Sequence, residues 1–295
     1  MSSMEPAITL RGGRQTRRRR IVNRFAESLA TVAALAAVIV LGIVVWSVAK
    51  RGAGELSWGF LTKQLPLYGE PGGGIAPLIV GSAILVGIAA AIALPLGVCI
   101  AVFLQEFAPA RVRAPIQLAI DLMNGLPSII IGIFVFGLLV YGHPQRAWAG
   151  SIGLSIVMLP LITRSTQEVL RLVPAAQREG ALALGVSRWR MVLGVVLPSA
   201  LGGILTGTVL AVARAIGETA PLLFVSSIYG TAITWNPTQA LPNLPVQIFI
   251  WSESDDPTDH RRAWASALVL LLFVLVTSLL ARLVLARTRK KLAGS

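Results

Sequence analysis

The sequence has little charge for its length. Charged residues make up 13% of its 295 residues, about half the share found in an ordinary soluble domain. The apolar share is 55% and the mean hydropathy is +0.75, which is more apolar surface than one globular core of this length can hide. These values exclude an ordinary soluble domain and indicate a polytopic membrane protein.

The sequence has one cysteine, two histidines and no nucleotide-binding loop. The single cysteine, Cys99, excludes a disulfide within the chain. His143 and His260 fall in predicted loops far apart, whereas zinc sites draw on several clustered ligands. No G-x-x-x-x-G-K-[ST] loop occurs, and the glycines at 72–74 predict a flexible turn instead. We therefore expect no catalytic residue, no metal and no cofactor bound by this chain.

Long apolar runs are what the sequence does contain. Six of them reach the length of about 20 residues that a helix needs to cross a bilayer. The first follows an arginine run, but it is longer than the apolar region of a signal peptide, so we interpret it as an uncleaved span. The sequence predicts an all-α membrane protein with six transmembrane helices, at 29–49, 76–104, 115–141, 148–170, 197–226 and 263–286.

Lysine and arginine are distributed unevenly between the two sides of these spans. With a cytoplasmic N terminus, 19 of them lie inside, six lie outside and Arg214 lies within the fifth span. This bias predicts that both termini are cytoplasmic. The net charge of +13 is then a topology signal that contacts lipid headgroups, and a nucleic acid partner is not needed. Two loops are longer than connections require: 171–196 inside and 227–262 outside.

The apolar runs and the charge distribution divide the chain into four predicted segments. Residues 1–24 form a basic cytoplasmic segment that is a candidate for disorder. Residues 25–70 hold the first transmembrane helix and an external loop, residues 71–288 hold the remaining transmembrane domain, and residues 289–295 form a cytoplasmic tail.

The inside loop predicts a short helix that binds a partner. Pro174 suits the first helical position and Gly185 suits the position just past the end, about ten residues later. Such a helix is too short to be stable alone. Its small and apolar side chains favour docking in a groove of another protein, although an amphipathic helix on the membrane surface is an alternative. These side chains are Ala176, Gly180, Ala181, Leu182 and Leu184.

This loop resembles the EAA motif of ABC importer permeases. Glu179-Gly180-Ala181, Gly185 and Val195-Val196-Leu197-Pro198 keep the spacing of the motif, with Gly180 in place of Ala and Val195 in place of Ile. The resemblance implies a cytoplasmic coupling helix that docks on an ATP-hydrolysing subunit, which would bind the ATP and Mg²⁺. The coupling residues it implies are Glu179, Gly180, Ala181, Leu184 and Gly185.

Two opposite charges stand inside the fifth span, in "ARAIGETAPLLF". An arginine at the centre of a span costs about 2.5–3.5 kcal/mol, and Glu218, four residues after Arg214, can neutralise it. The pair is either a structural lock between helices or a cationic site on a polar pathway. We favour the second interpretation, because the guanidinium fork can bind an oxyanion through two hydrogen bonds.

The third span adds polar residues at helical spacing. Asp121, Asn124 and Ser128 are expected on one face, with Pro127 loosening the backbone between them. They either face the same interior as Arg214 or form hydrogen bonds between helices, and Asp121 can lie near the cytoplasmic mouth. Together with Arg214, Glu218 and Thr219 they are the predicted translocation-pathway residues.

Four segments carry a closer resemblance, namely "GGGIAPLIVGS" (72–82), "MNGLPSIIIGIFVFG" (123–137), "ARAIGETAPLLF" (213–224) and "LPVQIFIW" (244–251). Over about residues 70–285 the chain is similar to PstA-type permeases of bacterial phosphate importers. This resemblance implies the type I ABC importer permease fold and a non-enzymatic subunit in the bacterial inner membrane. It also implies three partners: a PstC-type permease, a homodimeric PstB-type ATPase and an external PstS-type phosphate-binding protein.

Three other functions are left open by the residues. A permease of the same class could carry sulfate or molybdate. A proton-coupled secondary transporter could use Glu218 as a proton relay. A membrane-embedded enzyme has least support, because no His, Asp or Glu cluster has hydrolase or metal spacing.

Overall fold

The computed structural model describes residues 14–66, 72–226 and 230–293, whose regular structure is helical throughout. The chain divides into two units, Met1–Lys50 and Arg51–Ser295. In the first unit, helix α1 (Arg14–Gly52) exposes apolar side chains on all sides, as a helix in contact with lipid does. Residues 14–24 are thus helical, where the sequence suggested disorder, and residues 1–13 lie outside the described residues.

Eleven further helices occur among the described residues of the second unit. Three π-helical segments, Phe103–Phe107, Phe136–Val140 and Val192–Val196, continue α3, α5 and α8. The helices are α2 (Trp58–Thr62), α3 (Ala76–Val102), α4 (Ala110–Gly125), α5 (Ser128–Val135), α6 (Ala147–Leu172), α7 (Ala175–Ala183), α8 (Arg188–Met191), α9 (Leu197–Ile216), α10 (Ala220–Val225), α11 (Leu244–Ser252) and α12 (Pro257–Ala293).

Helix α6 is the centre of the packing. It is the most buried of the long helices and lies against α3 and α9. Leu154, Met158 and Ile162 of α6 are fully buried against Leu85 and neighbouring residues of α3. Small residues bring the two helices close: a side chain at Gly97 would come within 2.8 Å of Ile162.

The third predicted span is not one straight helix. Helix α4 ends at Gly125, α5 begins at Ser128, and the two axes differ by 101°. The reason is Pro127, which has no backbone N–H and disfavours helix at Leu126 before it. Among the described residues, five helices can span a membrane, and six can if α4 and α5 count as one bent span. The fifth span is also interrupted, because α9 stops at Ile216 and α10 starts at Ala220.

The loop predicted to lie outside, 227–262, contains helix α11 and packs on α3. Asn243 caps α11 by accepting a hydrogen bond from Val246 N, and its amide donates to the carbonyl of Ser226. Ser82 of α3 accepts from Leu244 N at 2.9 Å. The loop passes so close to α3 that a side chain at Gly81 would collide with the carbonyl of Pro242. Residues 227–229 of this loop lie outside the described residues.

The glycine segment 72–74, predicted as a turn, has no regular secondary structure and two glycines with positive φ angles. Gly72 and Gly73 have φ angles of +89° and +80°, which favour glycine. Arg262 of α12 is buried and donates to the carbonyl of Gly72 at 2.9 Å. This hydrogen bond joins Gly72 to α12, and the flexibility of the segment stays a prediction.

Candidate functional site

A small polar cavity lies where the two interrupted spans meet α6. Its volume is about 160 Å³, and it is formed by the end of α4, the start of α5, the middle of α6 and the last turn of α9. The lining residues are Met123, Asn124, Leu126, Pro127, Ser128, Ile131, Val157, Pro160, Leu161 and Arg214.

Arg214 supplies the positive charge of this cavity. Its Nε lies 3.3 Å from Oε1 of Glu218, and its side chain is 62% exposed while that of Glu218 is 15% exposed. Within the part of the chain that the structure describes, Nη1 and Nη2 of Arg214 have no hydrogen-bond partner. The guanidinium also stands in the last turn of α9, where the helix dipole favours a cation. Its free donors face a space that can take an anion.

The start of α5 adds hydrogen-bond donors to the same cavity. Ser128 is the first residue of α5, and the backbone N–H groups of Ser128 and Ile129 belong to the first turn, which has no partners within the helix. Helix N-termini attract anions for this reason. Asn124 and Ser128 line the cavity and bring an amide and a hydroxyl. The arrangement suits an oxyanion with several acceptor atoms.

The structure brings together some of the predicted pathway residues and separates others. Arg214, Asn124 and Ser128 line one cavity, and Glu218 contacts Arg214 from the break after α9. Thr219 is half-buried just before α10 and does not line the cavity. The prediction that Asp121, Asn124 and Ser128 share one helical face is wrong, because the 101° bend places Ser128 on a differently oriented helix.

Asp121 pairs with a residue that the sequence analysis did not single out. Nη2 of Arg164 on α6 lies 2.6 Å from Oδ1 of Asp121 on α4. Gln117 donates to the same oxygen at 2.9 Å and accepts a hydrogen bond from Gln167 at 2.9 Å. This network joins α4 to α6 about one turn beyond the cavity. Its signal in the sequence was Arg164 itself, an arginine inside the predicted span 148–170.

Helix α7, the predicted partner-binding helix, has the predicted end. Gly185 has a φ angle of +77°, its N–H donates to Leu182 O, and the N–H of Val186 donates to Ala181 O. This is the Schellman arrangement that closes a helix at a glycine. Pro174 lies one residue before α7 and not at its first position.

The predicted coupling residues form an open surface on α7. No residue of α7 is buried, and Leu184 just after it is 85% exposed. Glu179, Gly180 and Leu182 are exposed as well, while Ala181 is half-buried. A short helix with exposed leucines and an exposed carboxylate has the features of a docking surface.

An ion pair under α7 was missed by the sequence analysis. Arg178 donates through Nε and Nη2 to Oε1 of Glu106, at 3.2 and 2.9 Å, from the end of the α3 segment. It also donates to the carbonyls of Val173 and Leu170, at 2.7 and 2.8 Å, at the end of α6. One side chain thus ties α7 to two long helices. The acidic residue in "FLQEFAPA", on a side otherwise rich in arginine, was the available signal.

Comparison with known proteins shows the family to which this chain belongs. The profile described as "Binding-protein-dependent transport system inner membrane component" matches residues 93–290, which contain α7, the cavity and α12 up to Lys290. The chain belongs to this family. It is therefore a multi-pass inner membrane subunit of a transport system.

Curated relatives of this inner membrane component cover nearly the whole chain. A phosphate transport system permease protein PstA of Yersinia pestis is 36% identical over 92% of both chains. The protein of that name from Xylella fastidiosa is 37% identical over 92% of this chain and 96% of its own. A PstA 1 protein of Mycobacterium tuberculosis is 33% identical over 94% and 92%.

Solved structures show the same fold at low sequence identity. A bacterial alginate ABC transporter chain superposes with a TM-score of 0.60 at 14% identity, over 89% of this chain and 93% of that chain. A chain of the inward-facing MetNI methionine ABC transporter gives 0.58 at 15% identity, over 73% and 94%. The predicted type I ABC importer permease fold is thus confirmed.

Proposed function

We infer that this chain is the permease subunit of an ATP-driven, binding-protein-dependent importer of inorganic phosphate. The observation that carries the proposal is the cavity in which the free donors of Arg214 face the amide of Asn124 and the N-terminal turn of α5. The names of the curated relatives support phosphate as the transported anion.

In this proposal Arg214 offers the anion a site that both binds and releases it. Glu218 and the C-terminal end of α9 already neutralise part of the guanidinium charge, so an oxyanion gains a moderate attraction. Conduction needs such a balance, because a solute must leave as readily as it enters. Phosphate at neutral pH keeps a proton that it can donate to an acceptor such as Glu218, whereas sulfate has none.

The partners belong to the same proposal. A second permease of the PstC type would complete the pathway, and an external phosphate-binding protein of the PstS type would deliver the anion at the outside loop, 227–262. A homodimeric PstB-type ATPase would bind ATP and Mg²⁺ and dock on α7 through Glu179, Gly180, Ala181, Leu184 and Gly185. Both termini would lie in the cytoplasm, in keeping with the distribution of arginine and lysine.

The decisive experiment is phosphate uptake into vesicles that contain the whole reconstituted complex, wild type against Arg214→Gln. We expect uptake to fall about 10- to 100-fold, the range that corresponds to the loss of charge-assisted hydrogen bonds in the path. Co-purification of the ATPase should be unchanged. Arg171→Gln, the same chemical change at an exposed position in the last turn of α6, serves as the matched control and should transport normally.

Three outcomes would contradict parts of the proposal. Normal uptake by Arg214→Gln would show that the Arg214–Glu218 pair has only a structural role. Equal competition by sulfate or molybdate would show that another oxyanion is the substrate. Uptake that persists when the ATPase is inactivated would indicate a secondary transporter, with Glu218 as its proton relay.

A further inference from the structure

An apolar groove runs along the second unit near α7, away from the polar cavity. Its volume is about 600 Å³, within the range of pockets that hold small molecules. Two of the π-helical segments border it, Phe103–Phe107 and Val192–Val196. The side chains that matter here are Cys99, Phe103, Phe107, Trp189, Leu193 and Leu197.

One end of the groove is aromatic and basic. The rings of Phe107 and Trp189 lie 5.9 Å apart, and Trp189 is 58% exposed. Arg188 and Arg190, the neighbours of Trp189 in the chain, are both exposed. The lining carries no charge of its own, and the adjacent carboxylate of Glu106 is already bonded to Arg178. The end therefore combines an exposed indole ring, a side chain common at membrane interfaces, with two arginines that form no ion pair within residues 14–66, 72–226 and 230–293.

The same end lies beside α7. Val186 and Ala181 pack on the buried cluster that contains Val192, next to the groove. A molecule in the groove would thus touch the segment that supports the partner-binding helix. If α7 is cytoplasmic, as the proposed function requires, the groove opens at the cytoplasmic leaflet, whose anionic lipids attract basic side chains.

We propose that this groove binds one anionic phospholipid of the phosphatidylglycerol class. One of its two acyl chains lies along Cys99, Phe103 and Leu193, and Arg188 and Arg190 hold its headgroup phosphate beside Trp189. The apolar lining gives affinity for any acyl chain, and the two arginines give the preference for negative charge. Bound lipid then fills the space between the end of α3 and the segment leading into α9, and so stiffens the support of α7.

Cys99 allows a direct test, because it is the chain's single cysteine and it lies exposed in the groove. The purified complex in detergent is stripped of lipid, and phosphatidylglycerol or phosphatidylcholine is titrated in. The readout is the rate of Cys99 alkylation by N-ethylmaleimide, followed by the mass of this subunit. We expect phosphatidylglycerol to slow the reaction at much lower concentration than phosphatidylcholine.

Variants separate the headgroup from the acyl chain. Arg188→Gln/Arg190→Gln should raise the phosphatidylglycerol concentration needed for half protection about 20- to 30-fold, since each basic residue near a surface contributes roughly fivefold. Arg18→Gln/Arg19→Gln, the same charge change on α1, should leave that concentration unchanged. Leu193→Trp, which fills the groove, should reduce the phosphatidylglycerol retained per complex in mass spectrometry, whereas Leu210→Trp at an exposed position of α9 should not.

Several results would overturn the proposal. Equal protection by the two lipids would show ordinary contact with the bilayer. Cys99 that stays unreactive in the lipid-free complex would show that a protein subunit covers the groove. Equal shifts in the two double variants would show that the charge effect is not local. Neither readout depends on the transported anion, so failure here leaves the proposed phosphate pathway untouched, and failure of that pathway leaves this test intact.

Discussion

The guanidinium of Arg178 holds the carboxylate of Glu106 through two hydrogen bonds, at 3.2 and 2.9 Å, across 72 positions of the sequence. The pair is largely shielded from solvent, with side-chain exposures of 21% and 9%. Two further hydrogen bonds from Arg178 reach the last carbonyls of α6. One side chain thereby links α7 to the end of α3 and the end of α6.

Weakening this pair should lower the stability of the subunit and, if α7 docks on the ATPase as proposed, impair coupling as well. Arg178→Gln removes the charge and most of the four hydrogen bonds, and breaking a buried pair costs about 3–5 kcal/mol. We expect the ratio of phosphate transported to ATP hydrolysed to fall severalfold in Arg178→Gln and less in Glu106→Gln, which leaves the carbonyl contacts in place. A ratio equal to wild type in both variants would show that the pair only supports folding.

Gly185 and Gly180 offer a matched comparison on α7, which the proposed function assigns to ATPase docking. Gly185 has a left-handed backbone, so Gly185→Ala should cost about 1 kcal/mol and weaken retention of the ATPase. Gly180 lies inside α7 with open space around it, so Gly180→Ala should stabilise the helix by up to about 1 kcal/mol. Co-purification of the ATPase at increasing salt measures both effects. Opposite signs are the expected result, and equal effects would contradict the assigned helix end.

Gly81 is required by the outside loop. Gly81→Ala would drive a methyl group into the carbonyl of Pro242, and overpacking of this kind costs about 1–3 kcal/mol. The thermal midpoint of the detergent-solubilised complex should therefore fall. Gly87→Ala on the same helix meets nothing within 4 Å, so it should keep the midpoint or raise it slightly, as a helical glycine replaced by alanine does. If both variants melt alike, the loop does not pack on α3 as described.

Asp256 makes the N-terminal end of α12 sensitive to acid. Its Oδ1 accepts from Thr258 N at 2.7 Å, and this bond lowers the pKa of Asp256 below its usual 3.8, with the charges of Arg262 and Arg261 adding to the effect. A lowered pKa in the folded protein means that the stabilisation is present above about pH 3.8 and is lost as the pH falls through the lowered value.

Asp256→Asn separates this charge effect from capping. Asparagine keeps an oxygen that can cap α12 but does not titrate. We expect wild type to melt higher than Asp256→Asn at pH 7 and the difference to shrink on acidification below pH 3.8. A difference that does not change with pH would show that the carboxylate charge is irrelevant.

Local signals in the sequence were sufficient for the partner-binding helix. Pro174 and Gly185 act on their own backbone, so the helix end was predicted correctly and its start to within one residue. The bend between α4 and α5 was missed, although Pro127 had been noted, because a hydropathy window counts apolar length and ignores direction. Helix α11 was hidden in a loop that was recognised only by its length and its prolines.

Contacts between distant segments could not be predicted in the same way. Arg164 bonds Asp121 across 43 positions, and which side of α6 meets α4 is decided by packing of the whole second unit. The contact between Arg214 and Glu218 was predictable because the two residues are four positions apart. The lining of the cavity was predicted only in part. Arg214, Asn124 and Ser128 line it, but Thr219 and Asp121, which were also predicted, do not.

The interruption of two spans has a consequence for the dielectric around the polar cavity. Helices that end beside the cavity, α4 at Gly125 and α9 at Ile216, leave backbone groups that need hydration. Water bound to those groups would also screen Arg214, and the attraction of Arg214 for a divalent anion would then be several times weaker than in a dry interior. In the proposed pathway, this hydration favours rapid release of the anion from Arg214 over tight binding.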